Sequence, residues 1–305
     1  MLKYIIRGLL GAIPVFIGVA TIAFFLTHLS GDPVMLMVSM DTPPEQIVQI
    51  RHQMSFDLPL VIQFKNYIMD LLRLDLGISI RYQEPVIKLI LERFPATLQL
   101  ATASLLLALI IGIPAGIISA VKKNSISDYL VSVFSLFGQS AAPFWFGLML
   151  MLVFSVKLNW LPSSGKGSLE QLIMPTLTLG LYFTASITRL TRSGMLEILQ
   201  SDYIRTARAK GLSEKTVIYK HALKNSLIPV VTMIGIQFGV LLGGAVVTET
   251  VFAWPGLGRM IIQAIYNRDY PLVQGAMLFI ATGFVIINIA VDIIYRFLDP
   301  RIKQS

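Results

Sequence analysis

Apolar residues run in six long blocks along the chain, at 8–29, 97–121, 129–155, 172–192, 230–251 and 276–298. Each is about the 20 residues that an α-helix needs to cross a hydrocarbon core. Between them the polar stretches are of unequal length. In the longest, 31–95, Pro43-Pro44 opens a helical pattern through Ile47, Val48 and Ile50, and Leu58-Pro59 opens another, with Phe64, Ile68, Leu71 and Leu72 at helical spacing. This reads as a small helical cap, too short to be an independent domain. The second informative stretch is Ser201 to Pro229. Ser201 and Asp202 suit a helix N-cap, Tyr203 to Lys210 is helix-compatible, and Gly211 suits the left-handed position that ends a helix. Ser213 then caps a second helix running through Lys224, and Pro229 precedes the next block. The pattern predicts an all-α polytopic membrane protein with about six transmembrane helices. Its parts are an anchor helix (1–30), an extracytoplasmic cap (31–95), a five-helix core (96–300) containing a polar loop at 193–229, and a short tail (301–305).

Composition agrees with this: 55% of residues are hydrophobic, 14% are charged and mean hydropathy is +0.72. The net charge of +8 is distributed asymmetrically. With the N-terminus inside, the inner segments hold Lys3, Arg7, Lys122, Lys123, eight basic residues from Arg189 to Lys224, and Arg296, Arg301 and Lys303. The short outer loops hold only Lys157, Lys166, Arg259 and Arg268. Long loops such as 31–95 weigh little in the positive-inside rule, so both termini are predicted to be cytoplasmic. The same rule accounts for the basic loop without nucleic acid. The first block follows Lys3 and Arg7 but is longer than a signal-peptide core, and no small-residue cleavage site follows it, which predicts an uncleaved anchor.

Several chemistries are poorly provided for. There is no Cys, and His28, His52 and His221 lack ligand spacing, so no metal is expected. Ser163-Ser164-Gly165-Lys166-Gly167 resembles a phosphate-binding loop only in part: Trp160 stands where a glycine is needed and Gly167 where a hydroxyl is needed. No cofactor is expected in this chain, and no catalytic residue. A secondary transporter, acting without an ATPase partner, is one class open to a polytopic chain; it would want a charged midplane site or an inverted repeat. A membrane-embedded enzyme would want a polar cluster at the membrane surface.

Polar residues inside the blocks are few. Gln139, Ser140, Gln237 and Asn288 could line a path or bond between helices, and Glu249, ahead of Trp254-Pro255-Gly256-Leu257-Gly258, could serve an outer gate or cap the next short helix. Asp292 and Arg296, four apart, are spaced for a helical ion pair. Small residues, among them Gly112, Gly116, Gly235 and Gly239, predict closely packed and kinked helices.

Arg205-Thr206-Ala207-Arg208-Ala209-Lys210-Gly211, followed by His221-Ala222-Leu223-Lys224-Asn225-Ser226-Leu227-Ile228-Pro229, resembles the "EAA" loop of bacterial ABC-importer permeases, in the form carried by the dipeptide and oligopeptide family. Against the broad consensus only Ala207, Gly211 and Leu223 match; the consensus Glu is Arg205 here. Gly31–Val34, Glu249–Arg259, Arg268–Gln274 and Val291–Ile302 resemble the same family, so the likeness covers nearly the whole chain. It implies a type I importer permease fold in the bacterial inner membrane and a second, homologous permease subunit. It also implies two cytoplasmic ATPases, which would bind ATP and Mg, and an external solute-binding protein. Tyr203, Arg205, Thr206, Ala207, Lys210, Gly211 and Leu212 would be the ATPase-docking residues. The implied cargo is a dipeptide, a longer peptide, glutathione or nickel.

Overall fold

A computed structural model describes residues 2–29, 34, 38, 42–53, 56–243 and 245–298, with the side chains of 2–10, 27–29, 53, 292 and 295–298 left aside. Its helices, in chain order, are α1 (Leu2–Leu29), α2 (Pro44–Gln53), α3 (Leu60–Leu72), α4 (Val86–Val121), α5 (Ile126–Ser140), α6 (Pro143–Lys157) and α7 (Leu169–Leu199). They continue with α8 (Asp202–Ala209), α9 (Glu214–Ser226), α10 (Ile228–Leu242), α11 (Val246–Val251), α12 (Leu257–Tyr266) and α13 (Tyr270–Leu298). Among the described residues no strand forms, and the one isolated bridge joins Ile78 to Pro85.

By length and composition, α4 and the Tyr270–Val291 part of α13 could each cross a membrane outright. α5 with α6, and α9 with α10, pass as bent pairs. α1 contributes a shorter apolar run, Gly11–Leu26, and α7 has 31 residues with its charges towards its ends. Two of the expected spans differ in detail. The block 129–155 is broken between α5 and α6 and turns by 101°. Ala141 and Ala142 are extended there (ψ 122° and 125°), Ala142 because Pro143 disfavours the α conformation in the residue before it. Pro143 itself is at home in the first turn of α6, where its missing N–H has no partner to lose. The block 230–251 ends as a helix at Leu242, and Val246–Val251 forms a separate short helix.

Two compact units divide the chain: Met1–Pro95 with Gly256–Val285, and Ala96–Pro255 with Ile286–Ser305. The segment 256–285, read from sequence as part of the five-helix core, thus groups with the cap and anchor. Its reason is chemical. α12 buries Leu257, Met260, Ile261 and Ala264 on one face, against Val86, Leu89 and Ile90 of α4 and Leu272, Val273 and Ala276 of α13. Asp269, fully buried, then closes the unit. Its carboxylate accepts from the Ser79 hydroxyl, from Ile80 N and Arg81 N (both 3.1 Å), and from Leu272 N at the start of α13 (3.4 Å). In the same unit Phe24 of α1 meets Phe64 and Tyr67 of α3 edge-on and stacked, respectively.

In the second unit α7 is the central rod. A Cβ on Gly116 of α4 would lie 2.6 Å from Thr191 Cβ and 2.8 Å from Thr188 O, and one on Gly180 would lie 3.2 Å from Ser104 O. Only glycine allows the two backbones to come this close. In lipid, where apolar contact between helices gains little over contact with acyl chains, such approach is a main source of cohesion.

Candidate functional site

The polar loop is built on a small core of its own. Ile204 and Ala207 of α8 and Val217 and Ala222 of α9 bury against Ile117 and Ala120 of α4 and Met195 of α7. Ile204 is fully buried, which contributes about 1.5–3 kcal/mol relative to exposure. α8 starts after Ser201, whose backbone is extended as an N-cap requires, although its hydroxyl donates back to Ile198 O (2.6 Å) and does not cap. α8 ends as the sequence suggested. Gly211 has φ +77°, Gly211 N donates to Arg208 O (2.9 Å) and Leu212 N to Ala207 O (3.4 Å). This is the paired bonding of a Schellman ending. Arg208 then forks onto Glu214 across the turn, at 2.8 and 3.3 Å, and Ser213 accepts from Thr216 N to start α9. Within α9, Val217–Ala222 is a π-helical segment, as is Met151–Lys157 within α6; such segments are uncommon and often occur at functional sites.

The consequence is a loop packed on one face and exposed on the other. Tyr203 and Leu212 are about two-fifths exposed, and Arg205, Thr206, Lys210 and Gly211 are exposed as well. Tyr203 is held by Asn225, whose Nδ2 donates to its hydroxyl (2.8 Å), and the Thr206 hydroxyl donates to Asp202 O. Ala207 corrects the expected set: it is buried, and its side chain belongs to the loop's own core. The outward face is thus basic with two apolar contacts, suited to a complementary protein groove.

The residues expected along a path differ in burial. Gln139 and Ser140 end α5 at the break, half-buried and exposed respectively. Gln237 of α10 is buried, and its Oε1 has no hydrogen-bond partner among the described residues. Asn288 lies half-buried on α13. Glu249 neither caps α12, whose N-cap is Gly256 without a side-chain bond, nor reaches the surface. It is fully buried on α11 and accepts from the Thr97 hydroxyl of α4 (2.8 Å). Its backbone carbonyl accepts from Trp254 N, and the Trp254 indole donates to Ala96 O (2.8 Å). The side chains of Asp292 and Arg296 lie outside the described residues. So does Gly244, one of the small residues of the fifth block. Among the described residues no cluster of His, Asp and Glu could hold a metal ion.

Residues 112–304 match the family model described as binding-protein-dependent transport system inner membrane component, and residues 1–101 match the model of its N-terminal part. The chain belongs to this family. Curated relatives agree along the full length. The dipeptide transport system permease protein DppB of Alkalihalophilus pseudofirmus is 42% identical over 99% of this chain and all of its own. The glutathione transport system permease protein GsiC of Escherichia coli K12 is 43% identical, covering both chains completely. Among solved structures, a chain of the MetNI methionine ABC transporter in an inward-facing conformation superposes with TM-score 0.59 at 22% identity. The match covers 70% of this chain and 97% of that one, and the fold is therefore the one shared by importer permeases.

One polar cluster of this importer permease escaped the sequence reading: Ser119 on α4, Asp128 on α5 and Arg192 on α7. Asp128 and Arg192 are 64 positions apart, and no local rule pairs them. The available signal was local to α5, where Ser125 and Asp128 have the spacing of an N-cap and its third residue; the Ser125 side chain does accept from Asp128 N.

Proposed function

We propose that the chain is one of a pair of permease subunits in an ATP-driven importer of short peptides, with both termini in the cytoplasm. Two ATPases dock on the outward face of Tyr203–Leu212, and an external binding protein delivers cargo to the opposite side. ATP and Mg are held by the ATPases; this chain performs no covalent chemistry. Closure of the ATPases moves the docking loops, and the helices that carry them open the path alternately to either side. The observation that carries this reading is the docking loop itself: short, basic, sealed below by Ile204 and Ala207, and stopped by a left-handed Gly211. Support for the orientation comes from the lysine and arginine asymmetry of the short loops. Support for peptide cargo comes from relatives whose names specify dipeptide and glutathione. Both are short peptides with a free amine and carboxylate. Gln139, Ser140, Gln237 and Asn288 are amides and hydroxyls that can bond such cargo without selecting its charge. Gln237, with a buried acceptor left unpaired, is the foremost of these.

The test is uptake in sealed vesicles containing the assembled importer and its binding protein, with radiolabelled dipeptide or glutathione. Uptake of either that requires ATP is expected. Uptake that proceeds without ATP and collapses with the proton gradient would instead mark a secondary transporter.

A further inference from the structure

We infer that Ser119, Asp128 and Arg192 form a positioning knot that makes the docking loop move as one body with the adjoining ends of α4, α5 and α7, and so ties ATP use to transport. The inference rests on the function proposed above. The Asp128 carboxylate is nearly closed off (side chain 7% exposed) and Arg192 is 30% exposed. Arg192 Nε donates to Asp128 Oδ1 at 2.8 Å and Nη2 to Oδ2 at 3.0 Å. The Ser119 hydroxyl and Asn124 N (3.0 Å) donate to the same carboxylate, and Arg192 Nε lies 2.9 Å from Ser119 Oγ. One carboxylate thus gathers donors from α4, from the α4–α5 turn and from α7. The two-pronged guanidinium contact fixes direction as well as distance.

Position gives the cluster its role. Ser119 stands between Ile117 and Ala120, and Arg192 lies one turn before Met195; Ile117, Ala120 and Met195 are the floor on which Ile204, Ala207, Val217 and Ala222 rest. A displacement of α8 is passed through apolar contacts to the ends of α4 and α7. Apolar contacts alone permit sliding, and the knot forbids it by pinning those ends to each other and to α5. Ser119 and Asp128 are buried and Arg192 commits its Nε and Nη2 to Asp128, so the effect is on geometry and not on docking affinity.

The test uses the full-length chain assembled with its ATPases in proteoliposomes and supplied with dipeptide-loaded binding protein. Asp128→Asn, Arg192→Gln and Arg192→Lys are compared with wild type for complex yield, ATP hydrolysis and dipeptide uptake. The ATP spent per dipeptide taken up should rise about fivefold or more in Asp128→Asn and Arg192→Gln. Arg192→Lys, which keeps the charge without the fork, should fall between. An unchanged ratio across the series overturns the inference, whether rates stay normal or decline together with complex yield as a purely structural role requires. If the wild-type complex takes up no dipeptide, the cargo reading fails. The stimulation of hydrolysis by binding protein then decides: it is lost in the two variants if the knot couples, and retained if it does not.

Discussion

Gly211 shows how one residue can set a turn by backbone conformation alone. A Cβ added there meets nothing within 4 Å, so sterics with neighbours do not require glycine. The backbone does: at φ +77° an L side chain costs about 1–2 kcal/mol, more when β-branched. Gly211→Val should therefore insert in the membrane as wild type does, while the turn between α8 and α9 is disturbed and fewer ATPase subunits co-purify. Full recovery of ATPase with the variant would mean that the turn is not part of the docking surface. This residue was legible in the sequence because helix endings obey local rules. Ala207 was placed on the wrong face because burial depends on Ile117, Ala120 and Met195, which arrive from far along the chain. For Glu249 the cap was the wrong one of the two roles read from sequence, for the same reason: its partner Thr97 is 152 positions away.

At the level of helices, each apolar block falls on helix, and the breaks inside the blocks were poorly placed. A hydropathy run is indifferent to backbone direction. The run from Ile126 to Lys157 therefore conceals a 101° turn that only Pro143 announces. The close crossing of α4 on α7 was visible as a pattern of small residues, though not its partner helix. It makes a sharp contrast possible. In Gly116→Leu the new Cβ falls 2.6 Å from Thr191 Cβ and 2.8 Å from a backbone oxygen, and the helices must part. Overpacking of this kind costs about 1–3 kcal/mol. Gly18→Leu on α1, where nothing lies within 4 Å, serves as the control. Melting in detergent should show a clear loss for the first and almost none for the second. Equal melting would mean that α4 and α7 do not meet at Gly116.

For the molecule as a whole, membership in the binding-protein-dependent importer family assigns the chain a place in an assembly, and the docking loop is where that assembly would be entered. The chain carries no cysteine, so reporter side chains can be introduced one at a time. The account stands on the claim that the Tyr203–Leu212 face seats an ATPase. A photo-crosslinking side chain placed at Thr206, exposed on that face, measures this directly when the assembled importer is irradiated in native membranes. A second placed at Gln49 on α2, also exposed, reports on the predicted opposite side of the membrane. The account predicts that Thr206 captures the ATPase subunit and Gln49 does not. Capture of the ATPase from Gln49, with none from Thr206, would contradict both the orientation and the docking surface.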